Sequence, residues 1–181
     1  ARLGEGLQIV EDLTTLNLTT NNDIMVIDQF DTSNDFNGFD LGIQWELHHN
    51  RWFVEGLGRI ALGNNYQVVD IFGTTTATPV GQAGGQTVPG GLLAATSNIG
   101  RYTRNDFAIM PELGVTLGYR VTSRLSLTLG YTFFYWSRVV RPGEQVDLDV
   151  NPDLIPVIPG PAPPVRGLRR PHFAFQDTDF W

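Results

Sequence analysis

An all-β fold is predicted, an antiparallel up-and-down transmembrane β-barrel of which this chain holds about six strands. Three observations predict it. Long segments alternate strictly between apolar residues and small or polar ones, the period that gives a strand two chemically different faces. No run approaches the roughly 18 apolar residues that a membrane helix needs. Short turns at 48–51 and 120–124 alternate with long connections at 14–35, 63–103 and 139–171, the rhythm of barrels with tight turns at one end and long loops at the other.

Residues 1–13, ARLGEGLQIVEDL, read as a first strand. Leu3, Leu7, Ile9 and Leu13 share one parity, but so do Glu5 and Glu11, and the register stays open. The segment 14–35 reads as a loop around a short apolar stretch at 24–27. In the strand at 36–47, Phe39, Leu41, Ile43, Trp45 and Leu47 alternate with Asp40, Gly42, Gln44 and Glu46. His48-His49-Asn50-Arg51 makes the turn. In the return strand at 52–72, Glu55 and Arg59 fix the polar face and leave Trp52, Val54, Gly56, Gly58, Ile60 and Leu62 outward. A slip of one residue would push both charges into lipid, costing about 2–4 kcal/mol for the arginine at mid-depth.

Residues 63–103 read as a long connection rich in glycine and threonine, opening with the extended stretch YQVVDIF. The clearest hairpin follows, with strands at 104–119 and 124–138. Phe107, Ile109, Leu113, Val115, Leu117 and Tyr119 oppose a face of small, polar or charged residues, and Leu125, Leu127, Leu129, Tyr131, Phe133 and Tyr135 oppose Ser126, Thr128, Gly130 and Thr132. Thirteen residues from Phe107 to Tyr119, tilted by about 40°, span roughly 30 Å, the hydrocarbon thickness. Pro111 cannot donate to a ladder, so a bulge or interruption is predicted beside it. Residues 139–171 carry eight of the eleven prolines and read as a link; 172–181 reads as the start of a further strand.

The apolar faces would meet lipid and the polar ones a lumen. Lumen-lining candidates are Asp40, Gln44, Glu46, Glu55, Arg59, Glu112, Thr116, Thr128 and Thr132. Aromatic side chains settle at membrane interfaces. Trp45, Trp52 and Tyr119 are assigned to one interface, and Phe39, Phe107, Tyr131, Phe133 and Tyr135 to the other.

Composition excludes several functions. All twelve basic residues are arginine, so neither a phosphate-loop lysine nor Schiff-base chemistry is available. A net charge of −7 without a basic cluster argues against nucleic acid as a partner. There is no cysteine, hence no disulfide framework and no thiolate metal site. His48 and His49 with His172 read as solvated rather than metal-ligating. Asp147, Asp149, Asn151 and Asp153 copy the oxygen spacing of a calcium loop, but Pro152 stands where the sharp turn wants glycine and no glutamate closes it; an acidic solvated loop is the favoured reading of 147–153. Ser97 and Ser137 have no histidine nearby in sequence, and no nucleophile elbow is present. No enzyme activity, cofactor or metal is expected.

The segments DQFDTSNDFNGFDLG, RWFVEGLGRIALGNNYQVVDIFG, GGLLAATSNIGRY, FAIMPELGVTLGY and GYTFFYWSRVVRPGEQVD, within residues 28–181, resemble the outer-membrane β-barrel porins of type seven (beta barrel porin-7). The resemblance implies a bacterial outer-membrane location and carries no catalytic motif. Members of that family are longer. With only about six strands, where the smallest single-chain barrels have about eight, residues 1–181 are expected to be a single domain. That domain would be the C-terminal portion of a barrel, lacking earlier strands and the closing strand. The expected function is a passive pore or a structural envelope barrel with a polar lumen, in contact with outer-membrane lipid. Its open sheet edges would be able to take up other copies or chains. The alternative is an extracellular structural subunit, a fibre or surface lattice assembled through those edges.

Overall fold

The structure, a computed structural model, describes residues 1–17, 22–156, 158 and 164–181. Five long strands form one antiparallel meander: β1 (Arg2–Asn17), β2 (Asn22–His49), β3 (Trp52–Pro79), β5 (Gly100–Arg120) and β6 (Ser126–Phe134). A short β4 (Gln86–Pro89) pairs with the end of β3. β7 (Trp136–Val139) and β8 (Thr178–Phe180) make a separate two-stranded ladder. Among the described residues there is no α-helix, only 3-10 turns at Pro142–Gln145 and Pro152–Leu154. The fold is all-β and antiparallel, and the sheet curls into a half-barrel. Its concave side is marked by a cavity where Leu3 of β1 and Phe134 of β6, from the two edges, meet Arg59 and Glu112 from the middle.

β2 and β3 each run for 28 residues, about 90 Å at 3.3 Å per residue, three times the hydrocarbon thickness of about 30 Å. Strand therefore occupies 14–17, 22–35, 73–79 and 100–103, which the local sequence assigned to connections, and it runs through 63–72, where that reading had overlapped a strand with a connection. Of the strand expected at 172–181, only Thr178–Phe180 forms a ladder.

The reason lies in a reversal of polarity along the strands. Directly paired residues share a face, so the register sorts the sheet into cross-strand rows. Outward rows run Phe39–Leu62–Ile109, Leu41–Ile60–Pro111, Ile43–Gly58–Leu113–Phe133, Trp45–Gly56–Val115–Tyr131, Leu47–Val54–Leu117–Leu129 and His49–Trp52–Tyr119–Leu127. This band is apolar and uncovered, with Leu129 77 % and Tyr131 73 % exposed. From the row Asn37–Asn64–Phe107 upward the outer face turns polar, with Asp35, Asn105, Ser33, Thr103, Asp31, Asp70 and Arg101. The inner face there becomes buried, with the apolar Phe36, Phe30, Val69 and Ile71 set among the polar Asp28, Thr32, Asn34, Asn65 and Gln67. The two storeys meet at Gly38 and Gly63, paired on the inner face. A Cβ on Gly63 would lie 2.4 Å from the Asn37 carbonyl and 2.5 Å from Gly38 Cα, so both positions require glycine for the backbones to come this close.

The interruption expected beside Pro111 is displaced onto its neighbour. Pro111 pairs with Ile60 without a register shift, and its carbonyl accepts from Tyr135 N at 3.0 Å. The missing amide hydrogen leaves no return bond, and the β5–β6 ladder stops at Glu112–Phe134. There the chain leaves the wall: Tyr135 separates β6 from β7, and Trp136 turns inward to 2 % exposure.

Candidate functional site

All nine lumen-lining candidates fall on the inner face of the lower storey, because each shares its parity with the row partners of the others. Arg59 is the hub. Its Nη2 lies 2.8 Å from Asp40 Oδ2, its Nε donates to the same oxygen at 2.9 Å, and its Nη1 stands 3.6 Å from Glu112 Oε2. Glu46 and Glu55 lie directly opposite each other across β2 and β3. Glu46 Oε1 is 2.6 Å from His48 Nε2, which draws it towards the turn. Thr116 shares the row of the two glutamates, Gln44 and Thr132 share another, and Thr128 lies in the row of His48, Phe53 and Gly118. Alternation alone concealed that apolar side chains also point inward here. Leu57, Met110 and Phe134 interleave with the charges, and Phe53 lies over Gly118, where a Cβ would come within 2.0 Å of its ring.

The aromatic side chains Phe39, Trp45, Trp52, Phe107, Tyr119, Tyr131 and Phe133 are all on the outer face. Trp52 and Tyr119 pack with ring centroids 4.7 Å apart in the last row before the turns. Phe107 sits in the row where polarity reverses. Trp45 and Tyr131, assigned by sequence to opposite interfaces, share one row. Tyr135 lies at the break between β6 and β7 and belongs to no outward row.

The upper storey holds polar residues that sequence reasoning missed. Asp28, 1 % exposed, accepts three backbone hydrogen bonds: from Leu92 N and Leu93 N at 3.0 Å to Oδ2, and from Ala94 N at 2.9 Å to Oδ1. Gly91 lets that loop approach, since a Cβ there would stand 1.9 Å from Asp28 Oδ1. Asn34 pairs with Val140 as a strand would: its Nδ2 donates to the carbonyl at 2.9 Å and its Oδ1 accepts from the amide at 2.9 Å. Asn65 Nδ2 and Gln67 Nε2 both donate to Arg138 O, at 2.8 and 2.7 Å. Arg104 donates to Gln67 Oε1 at 2.7 and 2.9 Å and also bonds Asp177. Through these groups the segments 90–99, 136–146 and 171–177 are laid on the inner face. Ala94 and Val140 pack on Phe30, Val69 and Ile71, and Trp136 stands edge-on to Phe36 with centroids 6.4 Å apart. The one local signal was parity: Asp28, Asn34 and Phe36 continue the inward set of Asp40 and Gln44.

The oxygens of 147–153 are engaged by cationic and backbone donors. Asp147 Oδ2 accepts from Arg170 Nη1 at 2.8 Å and from His172 N at 3.1 Å, and its Oδ1 from Asp149 N at 3.0 Å. Asp153 Oδ2 accepts from Arg166 N at 2.8 Å. Burial alone would raise the Asp147 pKa, but these donors outweigh it and hold the carboxyl down at about 2. Ser97 Oγ donates to Pro171 O at 2.6 Å and Ser137 Oγ accepts from Ile109 N at 2.8 Å, so both hydroxyls serve the backbone.

Against known proteins, a family model described as putative beta barrel porin-7 matches residues 1–181. No curated protein matches, and no solved structure matches.

Proposed function

The chain belongs to the putative beta barrel porin-7 family, and from that premise we propose that it forms the wall of a passive, non-enzymatic pore in a bacterial outer membrane. The lower storey faces lipid on its outside, and Asp40, Gln44, Glu46, Glu55, Arg59, Glu112, Thr116, Thr128 and Thr132 line the lumen. The observation that carries this reading is the height of the apolar band. Its six rows cover ten residue steps along β2, from Phe39 to His49. That is about 33 Å along the strand and, tilted by about 40°, about 25 Å along the membrane normal, the height of the lipid-facing band of outer-membrane barrels. A water-exposed sheet has no cause to keep its outer face apolar over that height and then reverse it.

Planar-bilayer recording from the folded full-length protein tests it. Discrete conductance steps are the expected result; a membrane-inserted protein that conducts nothing would leave a structural barrel. One observation favours a subunit that assembles with other chains: the outer edges of β1 and β6 have no strand partner among the described residues, and open edges recruit strands. A chain that stays monodisperse or polymerises in buffer without detergent would establish that reading instead.

A further inference from the structure

We propose that the segments 90–99 and 136–146 are a plug built into the upper storey, pinned by Asp28 and by the amide side chains of Asn34, Asn65 and Gln67 from two adjacent inward rows, which constricts the lumen beyond the membrane. The proposal rests on the barrel reading only for the word lumen; the packing itself does not depend on it. Four features point to it.

The first is where the buried polar groups go. A carboxylate or amide under a covering segment is costly unless its hydrogen bonds are met. Asp28 and Asn34 make their shortest hydrogen bonds to the backbone of the covering segments, and Asn65 and Gln67 each donate to the Arg138 carbonyl there, while Gln67 Oε1 is held by Arg104 of the wall. The wall therefore specifies these segments and no arbitrary filling. Asp28 offers acceptors for three successive amides, Asn34 binds the Val140 backbone as a further strand would, and Asn65 and Gln67 converge on the Arg138 carbonyl.

The second is backbone shape. Gly91 is pressed against Asp28 and Gly73 against the Ala94 carbonyl, where a Cβ would fall 2.2 Å away. Arg138 adopts φ 55°, an uncommon conformation for a residue with a side chain, and its carbonyl is the acceptor for both Asn65 and Gln67. The third is apolar contact: Ala94, Val139 and Val140 are fully buried against the wall. The fourth is contrast within the same strands. Trp136 and Val139 reach just below Gly38 and Gly63, onto Ala61 and Met110; farther down the same strands the inner face carries Gln44, Glu46 and Glu55 partly or fully exposed, so the close covering belongs to the upper storey.

The test uses thiol accessibility, since the chain has no cysteine of its own. Val69→Cys places a reporter on the inner wall beneath the plug, at a side chain 0 % exposed; Thr103→Cys, on the outer face of the same storey, is the control. In the folded, membrane-inserted protein a water-soluble maleimide is expected to label position 69 at least about tenfold more slowly than position 103. Adding Asp28→Ala should restore most of that rate and raise the unit conductance. Asp28→Asn, which keeps one acceptor, should fall between. Should Asp28→Ala not fold, Gly91→Ala displaces the loop while leaving the carboxylate in place. Equal labelling at 69 and 103 in the unaltered background overturns the plug, and slow labelling that neither variant relieves overturns Asp28 as its pin. Leu113→Cys, labelled by a lipid-confined reagent, reports separately on the barrel. If it reacts only from water, the pore reading fails whatever residue 69 does.

Discussion

Replacing Leu113 with arginine should separate a lipid-facing sheet from a water-facing one. Leu113 is 58 % exposed on the outer face and lies in the third of six outward rows, near mid-band. An arginine at the bilayer midplane of a barrel costs about 2–4 kcal/mol, falling to about 0–1 near the interfaces. Leu127 supplies the comparison. It pairs with Tyr119, six residues along β5 from Leu113, which corresponds to about 15 Å of height at 3.3 Å per residue and a tilt of about 40°. Leu113→Arg should therefore cost roughly 2–3 kcal/mol more than Leu127→Arg. Its row with Trp52 and Tyr119 puts Leu127 at the edge of the band. Thr132→Arg, on the inner face at a depth similar to Leu113, should be tolerated. Urea unfolding from phospholipid vesicles measures all three. If water met the outer face, Leu113→Arg would be an ordinary surface change within about 0.5 kcal/mol. Equal small costs at 113 and 127 would refute the band, and a larger cost at 132 than at 113 would refute the assignment of faces.

Three further outcomes follow from particular contacts. Gly63→Ala should destabilise by about 1–3 kcal/mol, because its Cβ meets rigid backbone at 2.4 Å; Gly58→Ala, whose nearest neighbours would be 3.7 and 3.9 Å away, should be close to neutral, and the same denaturation assay compares them. Asn34→Leu should cost about 1–3 kcal/mol, since it strands both backbone groups of Val140 without removing them. The Asp147 carboxyl titrates lower in the folded chain than in the unfolded one, so its contribution is complete above the ordinary 3.8 and is lost as pH falls towards about 2. Protease cleavage of the 147–156 segment should therefore quicken across that window, and Arg170→Ala should move its onset to higher pH.

The lower storey was legible because its outer face stays apolar row after row. Where Phe39 to Leu47 and Leu113 to Phe133 must be apolar on every outward position, alternation carries register, face and depth together. The upper storey was not, because its inner face mixes Phe30 and Phe36 with Asp28, Thr32 and Asn34. Asp, Asn, Ser and Thr in such numbers match the local signature of a loop. What makes them strand is pairing on β3 with residues 29 to 45 positions away and, for Asn34, satisfaction by Val140, 106 residues distant. The same distance hid the site: Gln67 and Asn65 acquire a role only once Arg138 is brought over them. Pro111 was recognised as a disturbance, but its effect passed to β6, since a missing donor is felt by the strand that would have accepted from it.

In the membrane-spanning barrel proposed above, the reversal at Gly38 and Gly63 would also set where the molecule can float. Raising it by one row, about 5 Å, would lift Phe39, Leu62 and Ile109 out of hydrocarbon. Lowering it equally would draw Asn37 and Asn64 in. Either displacement is opposed, and more steeply than in a barrel whose loops begin at the interface, because here polar strand continues directly from apolar strand with no flexible joint to bend. A bilayer whose thickness differs from the band has to thin or thicken around the protein. Its waterline is thus a property of the chain rather than of the membrane that receives it.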